Sequence, residues 1–172
     1  MAFEAPTDNF NPDGFDSPAP GDYHVQLTHV DEDGGKQGEM ICDFEVLAGT
    51  TPNQEGKSHR EYFQKTMKAF QRIHTLAVAL GMVTVDELKK LKAANKSPVY
   101  DFPAAVGKQL CMGLVDDVYE GKHRTKCNFQ MFAVADEKVA TWPKNSAMLA
   151  KAGIVLPERP GAAEVGNALK GL

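Results

Sequence analysis

What most constrains this chain is a change of hydrophobic period along it. Tyr23, Val25 and Leu27 alternate with His24, Gln26 and Thr28; Met40, Cys42, Phe44 and Val46 alternate with Ile41, Asp43 and Glu45. Period-two alternation assigns successive side chains to opposite faces of a sheet, so these are two strands joined by the turn-rich DEDGGKQG, residues 31–38. AGTTPNQEGK (48–57) reads as a loop, and KSHREYFQ (57–64) as a third strand of weaker alternation. The period then lengthens to that of a helix. Phe70, Ile73, Ala77 and Leu80 share one face of KTMKAFQRIHTLAVALG, and Gly81 supplies the stop. Thr84 and Glu87 form a capping box for the short helix VDELKKLKAAN. After Pro98 and the turn DFPAAVG, residues 108–118 return to strand character. A turn at Gly121 leads into a fifth strand running to about Val134.

Three strands, helices and two strands make a mostly β chain with helices. The arithmetic is that of an OB-like five-stranded barrel with a helix between strands 3 and 4, although other small α+β sheets share it. The expected organisation is an extended acidic arm over residues 1–20, the OB-like domain over 21–138, and a flexible tail over 139–172 with a short helix at 145–152. No internal repeat is present. No run approaches the roughly 20 apolar residues of a membrane span. MAFEAPTDNF has neither the basic nor the apolar region of a signal peptide, so a cytoplasmic location is expected.

The net charge of −4 hides an asymmetry. Residues 1–50 hold eleven acids and one base, Lys36; the other 122 residues hold 18 bases and 12 acids. Such a division points weakly to a polyanion partner. Cys42, Cys111 and Cys127 contain no CxxC pair and read as reduced, mostly buried thiols. The five histidines lack ligand spacing, so neither a metal site nor a cofactor is expected. Asn9, Asn11, Asp13 and Gly14 resemble the start of a calcium loop, but Pro20 stands where a bidentate Glu belongs. GTTPNQEGKS misses the spacing of a phosphate-binding P-loop, and no catalytic triad can be assembled from Ser58-His59 or Asp116-Asp117. The chain reads as non-catalytic.

Two segments combine cations with rings, as sequence-independent single-strand binding requires. The first holds Lys57, Arg60, Tyr62, Lys65, Lys68 and Arg72; the second holds Tyr119, Lys122, Arg124, Lys126 and Phe132. In GKHRTKCNFQMF (121–132), basic and polar residues occupy alternate positions, which predicts one charged and one dry strand face. Phe63, Phe70 and Phe129 are expected in the core, and Trp142 as a local anchor. These eleven cations and rings are the candidate nucleic-acid-binding residues.

PAPGDYHVQLTHV, GEMICDFEVLAGT, EGKSHREYF, a helix ending in ALGM, VGKQLCMGL and a final basic strand, in that order, resemble a phage and prophage family catalogued as a domain of unknown function. The resemblance covers roughly residues 10–135. It implies an OB-like single-stranded-DNA-binding protein of phage replication or recombination, working in the infected bacterial host. The implied partners are single-stranded DNA, a recombinase or helicase, and further copies of the chain. The terminal GNALKGL lacks the acidic, hydrophobic tip of better-known bacterial single-stranded-DNA-binding proteins. The alternative function is an adaptor in which the barrel and acidic arm hold a phage or host replication, recombination or defence protein.

Overall fold

The computed structural model describes residues 2–7, 17–127 and 129–157. The calcium-loop resemblance at 9–14 and the terminal 166–172 lie outside them. The elements are β1 (Gly21–Asp31), β2 (Met40–Gly49), β3 (Ser58–Phe63), α1 (Phe70–Ala79), α2 (Val85–Ala93), β4 (Gln109–Tyr119), β5 (Lys122–Lys126), β6 (Met131–Phe132) and α3 (Ser146–Lys151).

The strands form one antiparallel sheet in the order β3-β2-β1-β4-β5, with β6 also on β4. The chain is therefore mostly β with a few helices. The sheet is open: among the described residues no ladder joins β3 to β5. β1 is central because its alternation is buried on both sides. Tyr23, Val25 and Leu27 enter the main core with Phe44, Phe63, Leu76, Leu110 and Met112, while His24 is buried on the opposite face. Register shifts at His24/Val25 and Leu27/His29 place bulges in the β1–β2 pair, which coil a sheet more strongly than regular pairing.

Two sequence motifs meet at one of these strand ends. The Tyr23 ring lies over Gly49, where a Cβ would sit 2.1 Å from Tyr23 Cδ1. The phenol donates back to the Ala19 carbonyl at 2.6 Å. A ring thus replaces the side chain that the glycine lacks, and its hydroxyl ties down the segment leading into β1.

Three boundaries differ from the sequence expectation. Residues 17–20 are fastened to the domain: Pro18 is buried, its carbonyl accepts from Thr125 Oγ1, and Ala19 N–H donates to Gln54. The expected fifth strand is two short strands separated by residues 127–130. The break has a cause. Cys127 N–H donates to the Glu61 carboxylate, and pairing with β4 has already resumed at Gln130, whose carbonyl accepts from Gly113 N–H. Residues 139–157, expected as the start of a flexible tail, pack back onto the sheet. Val139 and Leu149 are buried, and Asn145 N–H donates to His24 Nδ1 at 3.0 Å. Gln109 joins the same cluster, accepting from His24 Nε2 and donating to the Met148 carbonyl. The tail covers the second face of β1 and β4, which explains why His24 and Cys111 are buried there.

Candidate nucleic-acid interface

The β4–β5 hairpin gathers four of the predicted residues. Its two-residue turn is Glu120-Gly121, with φ of 52° and 76°; both central residues are left-handed, as a type I′ turn requires. The turn pairs Tyr119 with Lys122 and Asp117 with Arg124. Period two then brings Tyr119, Lys122, Arg124 and Lys126 to one face. The Arg124 guanidinium lies 4.4 Å from the centre of the Tyr119 ring, and both side chains are about half exposed. A stacked cation and ring offer a flat platform edged with charge.

The same face carries its own counter-charge. Asp117 accepts from Arg124 Nε at 3.0 Å and lies 3.4 Å from Lys126 Nζ. The Arg124 hydrogen bond leads in holding the Asp117 carboxyl below its usual pKa, with Lys126 adding to it. Behind the hairpin, His123 contacts Asp116 at 3.0 Å. The face is an alternating charge mosaic and not a uniformly basic wall.

The first predicted segment divides. Arg60 and Tyr62 project from the exposed face of β3, but Arg60 is held by both oxygens of Asp43 at 2.8 and 3.0 Å. Lys65 reaches the β1–β2 turn and pairs with Asp33 at 2.7 Å. Lys68 is exposed in the turn before α1, and Lys57 is half-buried at the entrance to β3.

Two predicted residues have other surroundings. Arg72 points inward, donating to Glu61 and to the carbonyls of Tyr62 and Cys127, with its guanidinium over Phe63. Helical phase could not reveal this, because the acceptors come from β3 and from the end of β5. Phe132 meets Trp142 edge-on, with centroids 5.9 Å apart, and Lys138 lies over it. Trp142 is thus the local anchor expected of it, and its contact is Phe132. Phe129, expected in the core, is instead 52% exposed. The strand break at 127–130 removes it from the buried phase.

The predicted cations therefore occur in two groups, one spread from the entrance of β3 to α1 and one on the hairpin, and five of them face carboxylates. Sequence reasoning missed another set: Lys89, Lys90, Lys92 and Lys96, on and just beyond α2, are all exposed. Their signal is four lysines within eight residues, a cluster without the neighbouring rings by which the two candidate segments are defined.

The three cysteines are free and buried, and burial pushes the Cys42 and Cys127 thiols up to about 12. Among the described residues no group of three or more His, Cys, Asp or Glu could hold a metal ion. No helix among them is long and apolar enough to cross a membrane. Compared with known proteins, the chain matches no protein-family model and no curated protein.

Proposed function

We propose that this chain is a non-catalytic, OB-like single-stranded-DNA-binding protein of phage type, acting in replication or recombination within the infected bacterium. The observation that carries the reading is the half-exposed Arg124–Tyr119 stack on the β4–β5 hairpin. Strand topology adds support. The order 3-2-1-4-5 is obtained by cutting a five-stranded OB barrel between its third and fifth strands, and OB barrels bind oligonucleotides with the strand 2–3 face and the 4–5 loop. Arg60 and Tyr62 stand on the exposed face of β3, and Tyr119 and Arg124 flank the β4–β5 turn. The ordered motifs resembling the phage family point the same way. Ion pairs do not remove these cations from service, since exposed pairs are worth about 0–1 kcal/mol and a phosphate can replace the carboxylate.

Asp117 makes the reading testable. Asp117→Asn frees Arg124 and Lys126 from their shared carboxylate, so it should tighten binding to labelled oligo-dT and steepen its salt dependence. Each phosphate engaged contributes about 0.7 to the slope of log K against log salt. Failure of the wild-type chain to bind oligo-dT at 50 mM salt would remove the proposal.

The adaptor reading is favoured by a separate observation. Val118 and Tyr119 are exposed on opposite faces of a charge-balanced hairpin and Phe129 is exposed beyond it, which leaves apolar contact area for a protein partner such as a recombinase or helicase. On that reading Asp117→Asn leaves oligo-dT binding unchanged and weakens capture of the partner.

A further inference from the structure

Five cations on or beside the sheet, Arg60, Lys65, Arg72, Arg124 and Lys126, are engaged by Asp33, Asp43, Glu61 and Asp117. The lysines of α2 are not. Lys89, Lys90, Lys92 and Lys96 are exposed, and among the described residues none of their ammonium groups is hydrogen-bonded or ion-paired. The two acids of this helix, Asp86 and Glu87, stand in its first turn, where the Thr84 side chain caps Glu87 N–H and Glu87 Oε1 accepts from the Thr84 hydroxyl. Acid at the start and base at the end segregate the charge along the helix axis, so that every charged side chain of its C-terminal half is a lysine. The helix has no buried residue; Leu88 and Leu91 are its half-buried contacts. It is a peripheral element that presents charge on most of its circumference.

We infer that α2 is a phosphate-backbone-binding surface, separate from the hairpin, that anchors the same nucleic acid through Lys89, Lys90, Lys92 and Lys96. This rests on the single-stranded-DNA reading above and deepens it by naming where the phosphates are held. The chemistry favours a backbone over a base. No aromatic residue occurs between Gly81 and Val99, so nothing there can stack on a base. It also favours a polyphosphate over an acidic protein. Protein hot spots are built from Trp, Tyr and Arg, and this surface offers none of them. Lysine is a compact, mobile point charge, which matches phosphates whose spacing varies along a flexible strand. The hairpin would then supply stacking and α2 the larger share of counterion release.

The test is a salt titration of labelled oligo-dT binding to the full chain. Four Lys→Gln substitutions at positions 89, 90, 92 and 96 should cut the slope of log K against log salt by about 2–3 and weaken binding at low salt by at least about tenfold. Four Lys→Arg substitutions should retain both, and circular dichroism checks that each variant is folded. Tyr119→Ala should weaken binding with its slope unchanged. If the Lys→Gln variant keeps the wild-type slope while Tyr119→Ala still weakens binding, the α2 inference fails and the hairpin reading stands. If the wild-type chain binds no oligo-dT, both fall. If poly-glutamate displaces oligo-dT at equal charge, and the Lys→Gln variant loses only poly-glutamate binding, the surface is for acidic polypeptides and the inference is overturned.

Discussion

Arg72 Nη2 stands 2.7 Å from Glu61 Oε1, and this pair bridges the open seam of the sheet. The same nitrogen donates to the Cys127 carbonyl at 2.7 Å, while Glu61 Oε2 accepts from Cys127 N–H and contacts His59 Nε2. Both backbone groups of Cys127, just past β5, are thereby bonded to side chains of β3 and α1. A carboxylate and a guanidinium replace the backbone ladder that would otherwise close β3 on β5.

Removing one member strands the other. Glu61 is buried and Arg72 is mostly so, and breaking a buried pair costs about 3–5 kcal/mol. Glu61→Gln should therefore destabilise the fold by about 3 kcal/mol in urea unfolding. It should also raise hydrogen exchange at Cys127 more than at Leu110, which lies in the β1–β4 pair.

Tyr119 tests the platform. Tyr119→Ala should lower oligo-dT affinity by about 1–3 kcal/mol, the range for loss of one base–ring stack. Tyr119→Phe should retain it, because the ring and not the hydroxyl carries the stack. Fluorescence anisotropy at fixed salt measures both.

His24 makes the C-terminal docking sensitive to pH. Burial lowers its pKa from the ordinary 6.5, against a smaller opposing effect of the Gln109 hydrogen bond. The unfolded chain then binds the proton more readily than the folded one. Its contribution to stability is complete above pH 6.5 and is lost as pH falls through the folded-state value. Geometry agrees: Nδ1 accepts from Asn145 N–H, so a protonated ring would lose that acceptor. The wild-type Tm should fall more between pH 7.5 and about 5 than that of His24→Ala, whose Tm should be lower but less dependent on pH.

Thr84 caps the N-terminus of α2. Its side chain accepts from Glu87 N–H at 3.1 Å, and losing such a cap costs about 1 kcal/mol. Thr84→Ala should increase hydrogen exchange in α2 and leave β1 and β4 protected, because this helix buries no residue.

The Tyr23 ring leaves no room for a side chain at Gly49. Gly49→Ala would drive a Cβ into the Tyr23 ring, and overpacking of this kind costs about 1–3 kcal/mol. Thermal unfolding should show the loss, and the double variant Gly49→Ala/Tyr23→Leu should lose less than the two single changes summed.

Local pattern determined much of this protein. Alternation around Tyr23 and Phe44 marks strands because a buried face repeats every second residue. The Thr84–Glu87 capping box and the turn at Gly121 are legible because their hydrogen bonds and dihedral demands lie within four residues. The hairpin half of the candidate site follows from the same locality: once Gly121 turns the chain, Tyr119, Lys122 and Arg124 must meet.

Only the tertiary structure decided what each cation faces. Arg60 meets Asp43, Lys65 meets Asp33 and Arg72 meets Cys127 across strand pairings and a seam that no local spacing encodes. Phe129 is exposed because a carboxylate on β3 captures the Cys127 amide and ends β5 early. His24 is buried because a distant segment folds over it. Periodicity reports which side of an element is dry, since that depends on neighbours in sequence. Charge pairing and the ends of strands depend on neighbours in space, and those are fixed by how the sheet coils.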